Sequence, residues 1–191
     1  MILASASPRR EELLRQTGIP FQIQASNIIE HKTGFIPEEL CCHLAQKKAV
    51  SVRAVIGNYW VLGADTLVLL GNQLLGKPKD TQEARQMLLL LNGREHAVIT
   101  GICILDPSGQ TACLEAISTN VYFKKLTEQE IDGYINTEEP YGKAGSYAIQ
   151  GIGAFMVESL SGSYSNVVGL PLCALIKALV KIRALNKFPL S

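Results

Sequence analysis

The segment LASASPRR, Leu3 to Arg10, decides how this chain begins to fold. Met1 to Ala4 is a short apolar run, as a buried strand would be. Pro8 suits the first position of a helix, and Glu11, Glu12, Leu13 and Leu14 continue it until Gly18 stops it. The segment is therefore read as a strand-to-helix junction carrying two hydroxyls, Ser5 and Ser7, and two arginines, Arg9 and Arg10. A helix N-terminus favours anions through its unpaired N–H groups and its dipole. The guanidinium forks add donors that match phosphate oxygens. The local expectation is a site for phosphate groups.

Working outward, Phe21 to Ala25 alternates as a half-buried strand. Asn27 to Gly34 is a polar loop, and Pro37, Glu38 and Glu39 open a second helix running through Leu44, Ala45 and Lys48. Tyr59 to Ala64 and Thr66 to Leu70 read as strand, with Gly71-Asn72 turning back into Gln73 to Leu75. Asp80-Thr81-Gln82-Glu83 starts a third helix, closed by Asn92-Gly93. Ala97 to Leu105 and Thr111 to Phe123 are long strands joined at Asp106-Pro107-Ser108-Gly109. Thr127 to Glu130 is a full capping box. Tyr147 to Gln150 and Phe155 to Leu160 read as short strands, Gly162 to Asn166 as a turn, and Pro171 to Leu185 as a terminal helix. The pattern points to a mixed α/β (α+β) fold with glycine-rich loops facing a cleft.

A chain of 191 residues is long enough for one domain, 1–191, or one domain with two lobes. Its formal net charge of +1 argues against a broad basic surface for nucleic acid. No apolar run reaches membrane-spanning length, and charge and proline within the first ten residues do not resemble a signal peptide. The five cysteines, Cys41, Cys42, Cys103, Cys113 and Cys173, have no CxxC or zinc spacing and read as reduced thiols of a cytoplasmic protein.

Several residues could carry chemistry. Asp65 follows the apolar run Trp60 to Ala64; a carboxylate at the end of a buried strand can bind Mg²⁺ or orient and deprotonate water. Capping a turn is its alternative. Thr66 either contacts ligand or pairs in the sheet. Gly71 to Pro78 nearly matches a phosphate-binding P-loop but has Pro where Ser or Thr must hold Mg²⁺, so that reading fails. Lys77 remains a phosphate contact or an exposed turn lysine. Glu30 and Lys48 are surface charges by default, with Glu30 a second metal carboxylate if its loop folds inward. Lys143 has small neighbours that admit a ligand. Gln150 can read the edge of a planar base with one donor and one acceptor face. The histidines form no triad, and no GxSxG elbow exists, so metal-assisted attack of water on phosphate fits the inventory better than a covalent hydrolase.

Taken together, LASASPRR, GADT, GKP, KAGSYAIQG and GSYSNVVGLPL, in that order over nearly the whole chain, resemble the Maf family of nucleoside triphosphate pyrophosphatases. The resemblance implies a Maf/ITPase-like fold, an elongated mixed sheet flanked by helices with two lobes around a cleft. It also implies cleavage between the α- and β-phosphates with a divalent metal, Mg²⁺ or Mn²⁺, clearing surplus or non-standard nucleotides, with a link to arrest of cell division. By motif, Asp65 falls on the proton acceptor. Arg10, Thr66 and Gln150 fall on positions tied to substrate choice. Ser5, Glu30, Lys48 and Lys77 fall on the phosphate and metal site, with Arg9 and Lys143 as further phosphate contacts. Asp65-Thr66 and Ile149-Gln150-Gly151 resemble the dTTP/UTP group. A 7-methyl-GTP enzyme or a non-catalytic nucleotide-binding regulator of septum formation are the alternatives. Where the family carries Asp before the lysine of its KAG motif, this chain has Gly142. Nucleoside triphosphates are the expected partners, with a homodimer left open.

Overall fold

The computed structural model describes residues 1–26, 28 and 36–189. The chain runs β1 (Ile2–Leu3), α1 (Pro8–Gln16), β2 (Gln22–Ile23), α2 (Pro37–Ile56), β3 (Val61–Leu70), β4 (Gln73–Leu75), α3 (Thr81–Leu91), β5 (Glu95–Leu105) and β6 (Thr111–Phe123). It continues through α4 (Glu128–Ile135), the 3₁₀ turns Ala144–Ser146 and Ile152–Met156, β7 (Val157–Ser161), α5 (Tyr164–Val168) and α6 (Leu172–Lys181). The sheet order is β2-β1-β3-β5-β6-β7, with β4 added to β3, so the fold is mixed α/β. The chain divides into two compact units, one of Met1–Thr66, Thr100–Ile117 and Gly169–Ser191, the other of Leu67–Ile99 and Ser118–Val168.

The first unit opens on three parallel strands. Ile2 and Leu3 pair with Gln22 and Ile23 on one side and with Val61 and Leu62 on the other. Order β2-β1-β3 reverses direction at β1, the arrangement in which open α/β sheets form a crevice outside their carboxyl ends. Ile2, Ala4, Ala45, Ala49, Val52, Val61, Cys103 and Leu105 make a core of buried residues under α2. Small residues let α2 lie close to the sheet. A Cβ added at Gly63 would stand 2.1 Å from the Ala45 carbonyl oxygen, and one at Gly101 would stand 2.4 Å from the Cys41 carbonyl. Both obstacles are helix backbone, which cannot swing aside. Gly63→Ala is therefore expected to push α2 outward and cost about 1–3 kcal/mol, the usual penalty of overpacking. Urea denaturation checks it; an unchanged midpoint would show that the helix is loosely seated.

In the second unit, local signals set the helix ends. The Asp80 carboxylate accepts from the Glu83 N–H, and Thr127 with Glu130 forms the complete capping box. Gly71-Asn72 joins β3 to β4 with Leu70 opposite Gln73, a two-residue hairpin. His96, Phe123 and Tyr147 pack edge to face, and His96 Nε2 lies 2.8 Å from the Tyr147 hydroxyl. Burial pushes the His96 pKa down to about 4, against an ordinary value of 6.5. The unfolded chain then takes up a proton before the folded one does, so stability falls as pH drops from about 6.5 towards 4. Between pH 7 and pH 5 this residue alone is expected to remove about 2 kcal/mol. Denaturant titrations at both pH values read the loss, and His96→Phe should flatten it.

Four secondary-structure expectations need correction. Tyr147 to Gln150 forms no strand; it is irregular chain entering Gly151, whose φ of 136° an L side chain rarely adopts. The Ala148 N–H bonds the Tyr134 hydroxyl and not a neighbouring strand. Of Phe155 to Leu160, only the part from Val157 is strand, and Tyr164–Val168 is a short helix where a turn was expected. The terminal helix stops at Lys181, four residues short of its expected end at Leu185. All five cysteines are free. No helix among the described residues is long and apolar enough to cross a membrane.

Candidate active site

The site is built from the carboxyl ends of β1 and β3 in the first unit. β1 stops at Leu3, and the turn through Ser5 and Ser7 leads into α1, with Pro8 at its first turn as the sequence required. Ser5 is buried, and its Oγ accepts from the Ser7 N–H at 3.2 Å. β3 runs on past its pairing with β1 at Val61 and Leu62, carrying Asp65 and Thr66 beyond the end of its shorter neighbour. Asp65 thus lies inside a ten-residue strand and not at its end, which corrects the expected placement. A strand interior holds its backbone more firmly than a loop does.

Successive strand residues face opposite sides of a sheet. Gly63 and Asp65 face α2, where Lys48 Nζ lies 2.5 Å from Asp65 Oδ1. The side chains of Lys48 and Asp65 are 13% and 9% exposed, so this is a nearly buried ion pair. Thr66 faces the other way, towards α1. Arg10 donates from Nη2 to Thr66 Oγ1 at 2.9 Å, from Nε to the Gly169 carbonyl at 2.8 Å and from Nη1 to Ser5 Oγ at 3.4 Å. Thr66 Oγ1 is also 3.0 Å from the hydroxyl of Thr100, a fully buried residue. The LASASPRR, GADT and GLPL segments therefore meet on Arg10. Its guanidinium is spread across protein acceptors, so it ties Ser5, Thr66 and the Gly169 carbonyl together.

Thr100 was not singled out from sequence. The signal was there: one hydroxyl inside the apolar run Ala97 to Leu105. Arg9 is half-buried on α1. Glu30 lies outside the described residues.

Lys77, Lys143 and Gln150 belong to the second unit. The Gly145 N–H donates to the Gly76 carbonyl at 3.0 Å, which draws the GKP turn and the KAG loop together. Lys77 is exposed and Lys143 half-buried, with Lys143 Nζ donating to the carbonyls of Glu139 and Tyr141. Gly142, at φ 75°, has open space where a side chain would stand. Gln150 lies between two tethered stretches of backbone, described below.

A hard divalent cation takes carboxylate oxygens, and Mg²⁺ commonly uses one or two of them together with phosphate oxygens and water. Among the described residues, no group of three or more His, Cys, Asp and Glu is gathered to hold a metal. Asp65 fits as a single protein ligand: its carboxylate already holds one cation, the Lys48 ammonium, in a nearly buried place. Chemically, the first unit offers a fixed carboxylate for a proton or a cation. The Lys48 ammonium stands beside it, and Arg10 lies on the opposite face of β3 against Thr66.

Residues 1–182 match a family described as Maf-like protein. The chain is 47% identical to a dTTP/UTP pyrophosphatase of Citrifermentans bemidjiense over 97% of both chains. It is 46% identical to one of Clostridioides difficile, over 98% of this chain and 97% of that one. It is 44% identical to one of Syntrophotalea carbinolica, over 98% and 87%. Among solved structures, a nucleoside-triphosphatase / dITP/XTP pyrophosphatase of Mycobacterium abscessus superposes with a TM-score of 0.40 at 13% identity, covering 65% of this chain and 74% of that one.

Proposed function

The chain belongs to the Maf family, and from that premise we propose that it hydrolyses dTTP and UTP to the nucleoside monophosphate and pyrophosphate. The observation that carries the chemistry is Asp65, held by Lys48 just past the carboxyl end of β1, where the strand order reverses and a ligand crevice is expected. Water bonded to Asp65 gives up its proton to the carboxylate as its oxygen bonds to the α-phosphorus. The bond from that phosphorus to the bridging oxygen breaks, and pyrophosphate leaves. Lys48 keeps the carboxylate in place and offsets its charge. Arg10 holds Thr66, and Lys77 and Lys143 supply further positive charge for the phosphates. Asp65 would hold a divalent metal, Mg²⁺ or Mn²⁺, together with substrate oxygens; the metal's contribution is neutralisation of phosphate charge.

Preference for dTTP and UTP rests on Thr66 and Gln150, neutral groups suited to a pyrimidine edge, and on the relatives' own activity. The five free cysteines support a cytoplasmic setting. Steady-state pyrophosphate release across dTTP, UTP, CTP, GTP and 7-methyl-GTP, with Mg²⁺ or Mn²⁺ and again with chelator, tests the reading. The highest kcat/KM should fall on dTTP and UTP, with none left after chelation. A preference for 7-methyl-GTP would overturn the substrate assignment. Nucleotide binding without pyrophosphate release would overturn the enzymatic one.

A further inference from the structure

Gln150 sits in irregular chain outside the sheet, yet the backbone is tied on both sides of it, after it directly to the Glu139 carboxylate and before it to the Tyr134 hydroxyl that bonds the same carboxylate. Glu139 Oε1 accepts from the Gly153 N–H at 2.9 Å and from the Tyr134 hydroxyl at 2.9 Å, and Oε2 accepts from the Ile152 N–H at 2.9 Å. The same Tyr134 hydroxyl accepts from the Ala148 N–H at 3.2 Å. The chain is thus fastened two residues before Gln150 through Tyr134, and two and three residues after it through Glu139. Tyr134 is only 2% exposed and does not move freely. Gly151 has a φ of 136°, which an L side chain rarely adopts, and a Cβ there would stand 2.5 Å from Glu139 Oε2, so the loop lies close against the carboxylate.

We propose that Glu139 is a positioning residue for Gln150, and that through this clamp it sets which base the enzyme selects. The inference rests on the reading of Gln150 as a base-contacting residue given above. Three donors converge on the site, and only a carboxylate offers acceptors alone. A glutamine would turn an NH₂ group towards an N–H or the Tyr134 hydroxyl and lose part of the clamp. Burial pushes the Glu139 pKa up, but the Gly153 and Ile152 N–H bonds, the Tyr134 hydroxyl and the Lys143 charge more than offset this and hold it below the usual carboxylate range. The Lys143 ammonium bonds the Glu139 carbonyl, so one residue supports both a base-reading loop and a lysine of the KAG motif.

The experiment compares wild type, Glu139→Gln, Tyr134→Phe, Gln150→Ala and the Glu139→Gln/Gln150→Ala double variant. For each, kcat and KM are measured with UTP and GTP, and Kd with the α,β-imido analogues of both, which cannot be split between those phosphates. A ratio between two substrates is unaffected by the fraction of folded protein, so a loss of stability alone leaves it unchanged. Glu139→Gln should reduce the UTP-over-GTP preference about tenfold, the size of effect one misplaced hydrogen bond produces, chiefly in KM and Kd. In the Gln150→Ala background the same change should move the ratio less than about twofold, because the residue it positions is gone. If Glu139→Gln does not fold, Tyr134→Phe decides, with a fall in the ratio expected. An unchanged ratio in folded variants overturns the proposal, as does an equal fall in the Gln150→Ala background. If wild type releases no pyrophosphate, the enzymatic reading fails, while the analogue Kd ratios still decide the role of Glu139.

Discussion

Asp65→Asn is expected to slow pyrophosphate release about 10²–10⁴-fold, the range lost with a general base. The substitution keeps the size of the side chain and leaves an amide oxygen to accept from Lys48 Nζ. It removes the group that takes the proton and the negative charge that would hold a metal. Affinity for α,β-imido-UTP should survive better than turnover, since Arg10, Thr66 and Gln150 are untouched. Asp65 lies within the ten-residue strand β3, flanked by Ala64 and Thr66, so its carboxylate is carried on fixed strand backbone. A variant turning over at the wild-type rate would remove Asp65 from the mechanism.

Lys48→Met should produce the largest loss of stability. Methionine roughly replaces the stem of the lysine but leaves the Asp65 carboxylate, 9% exposed, without its counter-charge. Breaking a buried pair from one side typically costs about 3–5 kcal/mol, because the remaining ion is neither solvated nor paired. Guanidinium unfolding at pH 7 measures it. The double variant Lys48→Met/Asp65→Asn should be more stable than Lys48→Met alone, since no charge is then stranded. A cost under about 1 kcal/mol for Lys48→Met would place the pair among exposed ion pairs, which contribute little. Turnover should fall in Lys48→Met as well, because the ammonium holds Asp65 Oδ1 where water must meet it.

Much of the architecture was legible locally. Pro8 at the start of α1, the Asp80 cap, the Thr127 and Glu130 box and the Gly71-Asn72 hairpin all act within four residues of chain, and each lies where its side-chain chemistry demands. Motif order singled out Ser5, Arg10, Asp65, Thr66 and Gln150 as candidates, and the structure brings Ser5, Arg10 and Thr66 into contact. The failures were also physical. Tyr147 to Gln150 has the alternation of a strand, but the Ala148 N–H is claimed by the Tyr134 hydroxyl, and just beyond it the Ile152 and Gly153 N–H groups are claimed by Glu139, side chains that periodicity does not register.

What the amino-acid sequence determined alone is therefore the set of elements, their caps and turns, and the residue types available for phosphate chemistry, because these depend on interactions a few residues apart. Tertiary structure decided how the functional groups are held. Lys48 meets Asp65 because Gly63 and Gly101 let α2 press its backbone against the sheet. Arg10 meets Thr66 because α1 covers the opposite face of β3 and Gly169 offers its carbonyl there. Glu139 clamps the Gln150 loop because Gly151 admits a close approach. Each pairing joins residues apart in sequence, and only the packed chain brings them within bonding distance.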